Sequence, residues 1–206
     1  MEDILDLYCL PYEENFPIFC MDEKPYQLLA ECCEPLPMEQ GKPKRIDNEY
    51  ERMGTCSIFV FCQPLTGRTY AHARERRTAI DWAHEIKELL TVHLPDIPKI
   101  GLVLDNLNTH IPASLYKAFP AKEARDLLRR IEFHYTPKHG SWLNIAEIMI
   151  SVLARQCLCR RIPDIHVLNK ELFAWNADHN TDSQYINWQF AADDARIKLH
   201  RLYPHF

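Results

Sequence analysis

Three carboxylates stand out because each lies at the end of an apolar segment or inside one. Asp22 directly follows the run FPIFCM, Asp105 ends the run IGLVLD, and Glu147 lies in the middle of WLNIAEIMISVL. Carboxylates that are placed close together repel one another and raise one another's pKa unless cations hold them. If the fold brings these three together, hard divalent cations such as Mg²⁺ are their natural partners, because Mg²⁺ prefers oxygen ligands.

A site of this kind suits phosphodiester chemistry. Two Mg²⁺ ions about 3.5 to 4 Å apart can activate an attacking oxygen and stabilise a leaving one. Each residue alone also has a structural interpretation: an aspartate after a strand is often a turn or cap residue, and a glutamate on an apolar helix is often exposed or paired with a cation. The matching strand ends of the two aspartates, together with the helical spacing around Glu147, favour a shared site.

The two aspartates follow segments that are typical of buried strands. Residues 16–21 form a short apolar run that stops at Asp22, and residues 100–105 repeat the pattern and end in Asp105. In open α/β sheets, reactive groups gather beyond the carboxyl ends of parallel strands. We therefore expect the two carboxylates to lie side by side if these strands are parallel neighbours.

The third carboxylate is predicted to reach the same edge from a helix. Ser141 can cap a helix that begins at residue 142. Within it, steps of three, four and four residues place Asn144, Glu147, Ser151 and Arg155 on one polar stripe. Glu147 can therefore point out of a helix whose other face packs on the core.

The remaining segments define the fold class. Residues 34–48 are rich in proline and charge, which favours a surface loop. The other predicted elements are a hairpin over 56–73, a helix over 79–92 capped by Thr78, a helical stretch from Pro112 to Arg130, a strand over 131–135, and helices over 164–178 and 192–202. This order predicts an α/β, three-layer domain of the ribonuclease H-like kind, with a mixed central sheet and a C-terminal helical tail.

Composition narrows the classes of protein that the chain can be. Its 206 residues fit one globular domain. No segment approaches 18 apolar residues and an acidic stretch follows Met1, so we expect no membrane association and a cytoplasmic location. The eight cysteines include no CxxC pair, which disfavours a structural zinc site, and most of them lie in apolar runs that favour reduced thiols over disulfides.

The charge balance bears on nucleic-acid binding. A net charge of -5 disfavours strong binding to nucleic acid by the domain as a whole, because phosphate binding usually leaves a basic footprint. Basic residues nevertheless cluster locally, and each cluster fits either a solvated helix face or a set of phosphate contacts. The clusters are Arg68, Arg74, Arg76 and Arg77; Arg155, Arg160 and Arg161; and Arg196, Lys198 and Arg201.

Four segments, taken in order, resemble the catalytic domain of IS630-type transposases of the Tc1/mariner superfamily. They are DEKPYQLL (22–29), LVLDNLNTH (102–110), HYTPKHGSWLNIAEI (134–148) and WQFAADDARIKLHRLYP (188–204). The resemblance covers nearly the whole chain. It implies a ribonuclease H-like fold in which Asp22, Asp105 and Glu147 are the catalytic, metal-binding acids of a DDE transposase. It also implies two Mg²⁺ ions, or Mn²⁺ in their place, and the cutting and joining of transposon-end DNA.

Neighbouring residues in these motifs are candidates for supporting roles. Asn106 and His110 can orient a water molecule or a phosphate near Asp105, although this segment also fits ordinary turn chemistry. Lys138 and His139 precede the predicted helix and can contact a phosphate, or they can belong to a solvated loop. Met149 occupies a position where relatives carry a further acid, but two steps along a helix turn a side chain to another face, so we do not expect a lost ligand.

The resemblance also implies partners and a domain organisation. The implied partners are transposon terminal inverted repeats and target DNA, a second copy of the chain in the end complex, and a helix-turn-helix module that reads the repeats. We expect one catalytic domain over 1–206, with a core over about 15–160, a helical tail over about 161–206, and no N-terminal helix-turn-helix region.

That organisation fits a fragment, a truncated product, or one of two separately encoded halves with a separate helix-turn-helix subunit. Two other functions stay open. The domain can be a catalytically silent remnant or partner-binding module, or it can be a general ribonuclease H-like nuclease.

Overall fold

The protein is built on a mixed five-stranded sheet in the part of the chain that the computed structural model describes, residues 1–43, 45, 47–138, 140–182 and 184–203. The strands are β1 (Ile18–Glu31), β2 (Tyr50–Cys62), β3 (Thr69–Arg74), β4 (Ile100–Leu104) and β5 (Ile131–Tyr135). Their order in the sheet is β3-β2-β1-β4-β5. The pairs β1–β2 and β2–β3 are antiparallel, whereas β1–β4 and β4–β5 are parallel. The predicted mixed sheet is confirmed.

Helices cover both faces of this sheet. The helices are α1 (Glu2–Tyr8), α2 (Ala79–Glu88), α3 (Pro112–Ala118), α4 (Ala121–Leu128), α5 (Ala146–Gln156), α6 (Ile165–Thr181) and α7 (Ala192–Lys198). Alternate residues of β1 point to opposite faces, so Phe19 joins an apolar cluster with α2, α3 and α4, and Cys20 joins one with α1, α5, α6 and α7. The three-layer, ribonuclease H-like fold is confirmed.

In the described part of the chain, no helix is long and apolar enough to cross a lipid bilayer.

Strand β1 differs from its prediction at its carboxyl end. It continues nine residues beyond Asp22, to Glu31, instead of stopping at the aspartate. Parallel pairing with β4 covers only Ile18 to Cys20. Beyond that point β2 keeps β1 extended by antiparallel pairing as far as Glu31. Asp22 therefore lies beyond the parallel part of the sheet but inside a strand.

Two helices also differ from their predictions. The helical stretch after Pro112 is divided into α3 and α4, because Phe119 precedes Pro120 and adopts an extended conformation. Ser141 does not cap α5. It begins a separate 3₁₀ turn that ends at Leu143, and the extended backbone of Asn144 separates this turn from α5. By contrast, Thr78 caps α2 as predicted, in a reciprocal capping box with Asp81.

Helix α1 was not predicted, although it contributes to the core. Its Ile4 and Leu5 are fully buried, ahead of the predicted core boundary at about residue 15. The Tyr8 hydroxyl donates a hydrogen bond to the Leu143 carbonyl, 2.7 Å away. A seven-residue helix is too short to be stable alone, so tertiary packing of this kind must hold it in place.

The predicted helical tail is packed against the sheet, and α6 closes the edge of β3. An edge strand exposes backbone N–H and C=O groups that another chain can pair with. Here three asparagine side chains of α6 each accept from one backbone N–H and donate to the C=O of the same residue, at 2.7 to 3.0 Å. The pairs are Asn169 with Ala73, Asn176 with Ala71, and Asn180 with Thr69.

This asparagine ladder predicts a large effect of one side-chain change. Asn176→Leu leaves the N–H and C=O of Ala71 without partners beneath an apolar side chain, so we expect a loss of about 2 to 3 kcal/mol in unfolding free energy. Chemical denaturation followed by circular dichroism measures it. Asn187→Leu, at an exposed position, is the control and is expected to change little. Equal effects of the two substitutions would contradict the role given to the ladder.

Candidate active site

The sheet brings Asp22 and Asp105 to one edge. Strands β1 and β4 are parallel neighbours, and their last paired residues are Cys20 and Val103. Asp22 and Asp105 each follow that pair by two residues. This register places Asp22 and Asp105 at matching positions beyond the parallel pairing of two neighbouring strands.

A buried asparagine brings Glu147 to the same edge. Asn144 is 3% exposed, and its side-chain amide donates to the carbonyl of Met21, the residue before Asp22, at 2.8 Å. Its side-chain oxygen accepts from the N–H of Ala146 at 3.2 Å, and its backbone carbonyl accepts from the N–H of Glu147 at 3.2 Å. The first turn of α5 is therefore tied to β1 beside Asp22.

The surroundings of Asp22 raise the pKa of its carboxyl group. Burial of the side chain raises this pKa from 3.8 to about 6, opposed by a hydrogen bond from the Glu23 N–H at 2.7 Å. The charges of Asp105, Glu147 and Glu23 raise it further. Asp105 and Glu147 therefore lie near enough to Asp22 for their charges to act on it, while the shared site of the three acids stays a prediction.

His110 bridges Asp105 to a carboxylate that the sequence did not suggest. The imidazole is buried; its Nδ1 contacts Asp105 Oδ1, and its Nε2 lies 2.9 Å from Glu23 Oε1. Burial acts to lower the pKa of His110, but the hydrogen bonds to Asp105 and Glu23 outweigh it and raise the pKa to about 9. The ring is therefore charged at neutral pH and donates to both carboxylates.

The other predicted site residues lie around this edge. Asn106 is exposed in the loop after Asp105, and Lys138 is exposed in the loop before the 3₁₀ turn. His139 lies outside the described residues, so its predicted role is not examined by the structure. Glu147 is exposed on α5 as the polar stripe predicted, whereas Met149 is 5% exposed and packs in the core.

A second group of possible ligands helps to judge whether metal fits the three acids. His72, Glu85 and Glu88 have ligand atoms within 4.8 Å of one another, and no other group of three in the described part of the chain is this close. The ligand atoms of Asp22, Asp105 and Glu147 are therefore spaced more widely than 4.8 Å. Arg74 and His72 already form salt bridges with Glu85, and Arg74 lies 3.7 Å from Glu88. That group is neutralised by its own cations.

In contrast, the negative charge of Asp22, Asp105 and Glu147 is mostly not paired with cationic side chains among the described residues. Among the described residues, Asp22 and Glu147 form no salt bridge, and Asp105 has one cationic partner, His110. A half-buried carboxylate with a raised pKa beside two other carboxylates is an environment that a divalent cation stabilises. The residues present therefore fit divalent metal ions with oxygen ligands.

Comparison with known proteins places the chain in a family. The sequence profile described as DDE superfamily endonuclease matches residues 17–169, which include all three acids. The chain belongs to this family, and the predicted DDE domain is confirmed. No curated protein sequence matches the chain.

Solved structures with the same fold are transposase complexes. The Mos1 mariner paired-end complex with Mn has a TM-score of 0.52 and 14% identity, covering 79% of this chain and 48% of that one. The Mos1 transposase paired-end complex with left transposon end has a TM-score of 0.53 and 14% identity, covering 78% of this chain and 48% of that one. The Mos1 strand transfer complex has a TM-score of 0.51 and 14% identity, covering 78% and 47%. The chain thus spans about half the length of these relatives.

The raised pKa of Asp22 predicts how stability depends on pH in the absence of metal. Because the folded-state pKa of about 6 exceeds the ordinary value of 3.8, the folded protein holds this proton more tightly. The stabilisation of the folded protein by this bound proton is fully present below about pH 4 and is lost as pH rises through about 6. Asp22→Asn cannot ionise, so at neutral pH we expect it to stabilise the metal-free protein by about 1 to 2 kcal/mol, after allowance for partial exposure.

Thermal unfolding in EDTA across this pH range measures the effect. Asp126→Asn, an exposed carboxylate on α4, is the matched control and is expected to follow the wild type. An Asp22→Asn variant less stable than the wild type at neutral pH would contradict the cost assigned to an ionised, half-buried Asp22 beside other acids.

Proposed function

We propose that the chain is the catalytic domain of an IS630-type DDE transposase, which cleaves transposon ends and joins them to target DNA in a metal-dependent reaction. The convergence of Asp22, Asp105 and Glu147 at one sheet edge, in a member of the DDE endonuclease family, carries the proposal. Asp22, Asp105 and Glu147 are the catalytic residues in this account.

Two divalent ions, Mg²⁺ or Mn²⁺, would be held by the three acids. When bound, such ions activate the attacking oxygen and stabilise the leaving oxygen of a phosphodiester. The protein's own contribution is to orient the ligands: His110 directs the carboxylate of Asp105, and Asn144 sets the position of Glu147. Asp22 must be ionised to serve as a ligand, so metal binding is expected to strengthen as pH rises through about 6.

DNA contacts are proposed to be local, because the domain as a whole is acidic. Among the described residues, four of the nine clustered arginines form ion pairs: Arg74 with Glu85, Arg160 with Glu171, Arg161 with Glu31, and Arg196 with Glu2. Arg155 forms no ion pair among the described residues and is exposed on the same helix as Glu147, where its guanidinium donates to the Ser151 carbonyl of that helix. The phosphate-contact candidates are Arg155 together with Asn106, Lys138 and His139.

The partners are proposed by analogy with the similar structures. The Mos1 complexes are described as paired-end and strand transfer complexes, which supports transposon ends and target DNA as partners and a homodimer in the end complex. Recognition of the terminal inverted repeats is assigned to a helix-turn-helix module, in the same chain or in a separate subunit. The single-domain organisation and the cytoplasmic location stay predictions.

A cleavage and strand-transfer assay tests this function. The substrate is DNA that carries the element's ends, with Mg²⁺ or Mn²⁺, in the presence and absence of a supplied helix-turn-helix partner. Asp22→Asn, Asp105→Asn and Glu147→Gln are each expected to lower the rate by roughly 10³-fold or more, because each removes a ligand of a site that acts as a unit.

Asp126→Asn is the control for loss of an exposed carboxylate far from the site, and it is expected to keep the wild-type rate. Cleavage that persists in any one of the three active-site variants would contradict the role of that residue. A wild-type protein that folds, binds its partner and never cleaves would favour the catalytically silent remnant. Cleavage without preference for transposon ends, even with the helix-turn-helix partner, would favour a general nuclease.

A further inference from the structure

We propose that Glu23 is a positioning residue that acts through His110 to fix the carboxylate of Asp105, and so sets the spacing between Asp105 and Asp22. The inference rests on the proposed function, because it concerns the two aspartates as metal ligands. Glu23 itself is not assigned to the metal. Strand alternation directs its side chain to the sheet face opposite that of Asp22.

Backbone pairing alone does not hold Asp105 in place. The parallel pairs of β1 and β4 end at Cys20 and Val103, and β4 itself ends at Leu104. Asp105 begins a loop, and its side chain is 37% exposed. A carboxylate in this situation samples several rotamers unless another group restrains it.

His110 supplies the restraint, because it is itself immobilised from several directions. The ring is 1% exposed and lies 5.7 Å from the Trp82 ring, centroid to centroid. The His110 carbonyl accepts from the Tyr135 hydroxyl at 3.0 Å, and its N–H donates to the Leu107 carbonyl at 3.0 Å. The imidazole therefore holds Asp105 from a fixed position inside the protein.

Glu23 determines how the ring is oriented. Its Oε1 lies 2.9 Å from His110 Nε2, which directs Nδ1 of the same ring towards Asp105. The backbone N–H of Glu23 also donates to Asp22 Oδ1 at 2.7 Å. Glu23 therefore contacts Asp22 through its backbone N–H and is linked to Asp105 through the His110 imidazole.

The burial of Glu23 supports a role beyond stability. Its side chain is 5% exposed, and a buried ion pair is often no more stabilising than well-packed apolar residues of similar volume. A core that only had to be stable would not need a carboxylate at this position. Residues that orient metal ligands from behind are, however, commonly polar and hydrogen-bonded in this way.

Mn²⁺ affinity, measured by electron paramagnetic resonance on the folded 206-residue chain, tests the inference without an activity assay. Glu23→Ala is expected to weaken binding about tenfold, the lower end of what loss of a ligand-orienting group costs. Glu23→Gln is expected to weaken it less, because the amide oxygen still accepts a hydrogen bond from His110 Nε2. In a His110→Leu background, Glu23→Ala is expected to add no further loss, because the two residues act in series.

Glu85→Ala is the matched control, since Glu85 is also buried, at 4% exposure, and pairs with a histidine, His72, at 2.8 Å. It is expected to lower the melting temperature and leave Mn²⁺ affinity at the aspartate site unchanged. Wild-type affinity in Glu23→Ala with a lowered melting temperature would overturn the inference and leave Glu23 a structural residue.

Two other results would also overturn it. If Glu23→Gln and Glu23→Ala weaken Mn²⁺ binding equally, the negative charge of Glu23 supports the site and its hydrogen bond to His110 does not. Additive losses in the double variant would mean that Glu23 does not act through His110. Failure of the proposed function gives a different result. If the three acids bind no metal, the wild type and Asp105→Asn have equal Mn²⁺ affinity even with Glu23 intact.

Discussion

The crowding of like charge at one sheet edge is the constraint on which the rest of the site depends. Asp22 is half-buried, and its burial together with the nearby charges of Asp105, Glu147 and Glu23 raises its pKa to about 6. Left alone, such carboxylates would move apart or take up protons. The fold must hold them together in the absence of metal, and each element around the edge contributes to that task.

The fold meets this constraint with buried polar contacts around the sheet edge. The parallel register of β1 and β4 aligns the two aspartates, and the Asn144 amide fastens α5 to the carbonyl of Met21. Helix α1 supports the same junction, because the Tyr8 hydroxyl binds the carbonyl of Leu143. On the opposite sheet face, His110 links Asp105 to Glu23. Buried polar groups with complete hydrogen bonding rigidify a structure, whereas incomplete ones destabilise it.

Much of this arrangement could be predicted from sequence, because it depends on local patterns. Apolar runs that end in Asp22 and Asp105, and helical spacing around Glu147, were sufficient to place three acids at one edge. The extent of β1 could not be found in this way, since its continuation to Glu31 depends on pairing with β2, which begins at Tyr50. Helix α1 is likewise too short for a periodic signal and is held by tertiary packing.

The polar contacts that support the site were harder to predict for a related reason. Glu23 looks like a solvated neighbour of Asp22, and only strand alternation, together with knowledge of where His110 lies, shows that it is buried. Asn144 was assigned to the polar stripe of α5, whereas its backbone leaves helical geometry and its side chain turns into the core. The asparagines of α6 pair with residues of β3 about a hundred positions earlier in the chain, and no short-range pattern reports such a contact.

We propose that Asp22, Asp105 and Glu147 together form a site for divalent metal. Anomalous X-ray diffraction from crystals soaked in Mn²⁺ tests it most directly, because the ion is located without reference to activity. We expect anomalous peaks within coordination distance of these three carboxylates, and none at His72, Glu85 and Glu88, where Arg74 and His72 already pair with the carboxylates. Manganese at His72, Glu85 and Glu88 with none at the three acids would contradict it.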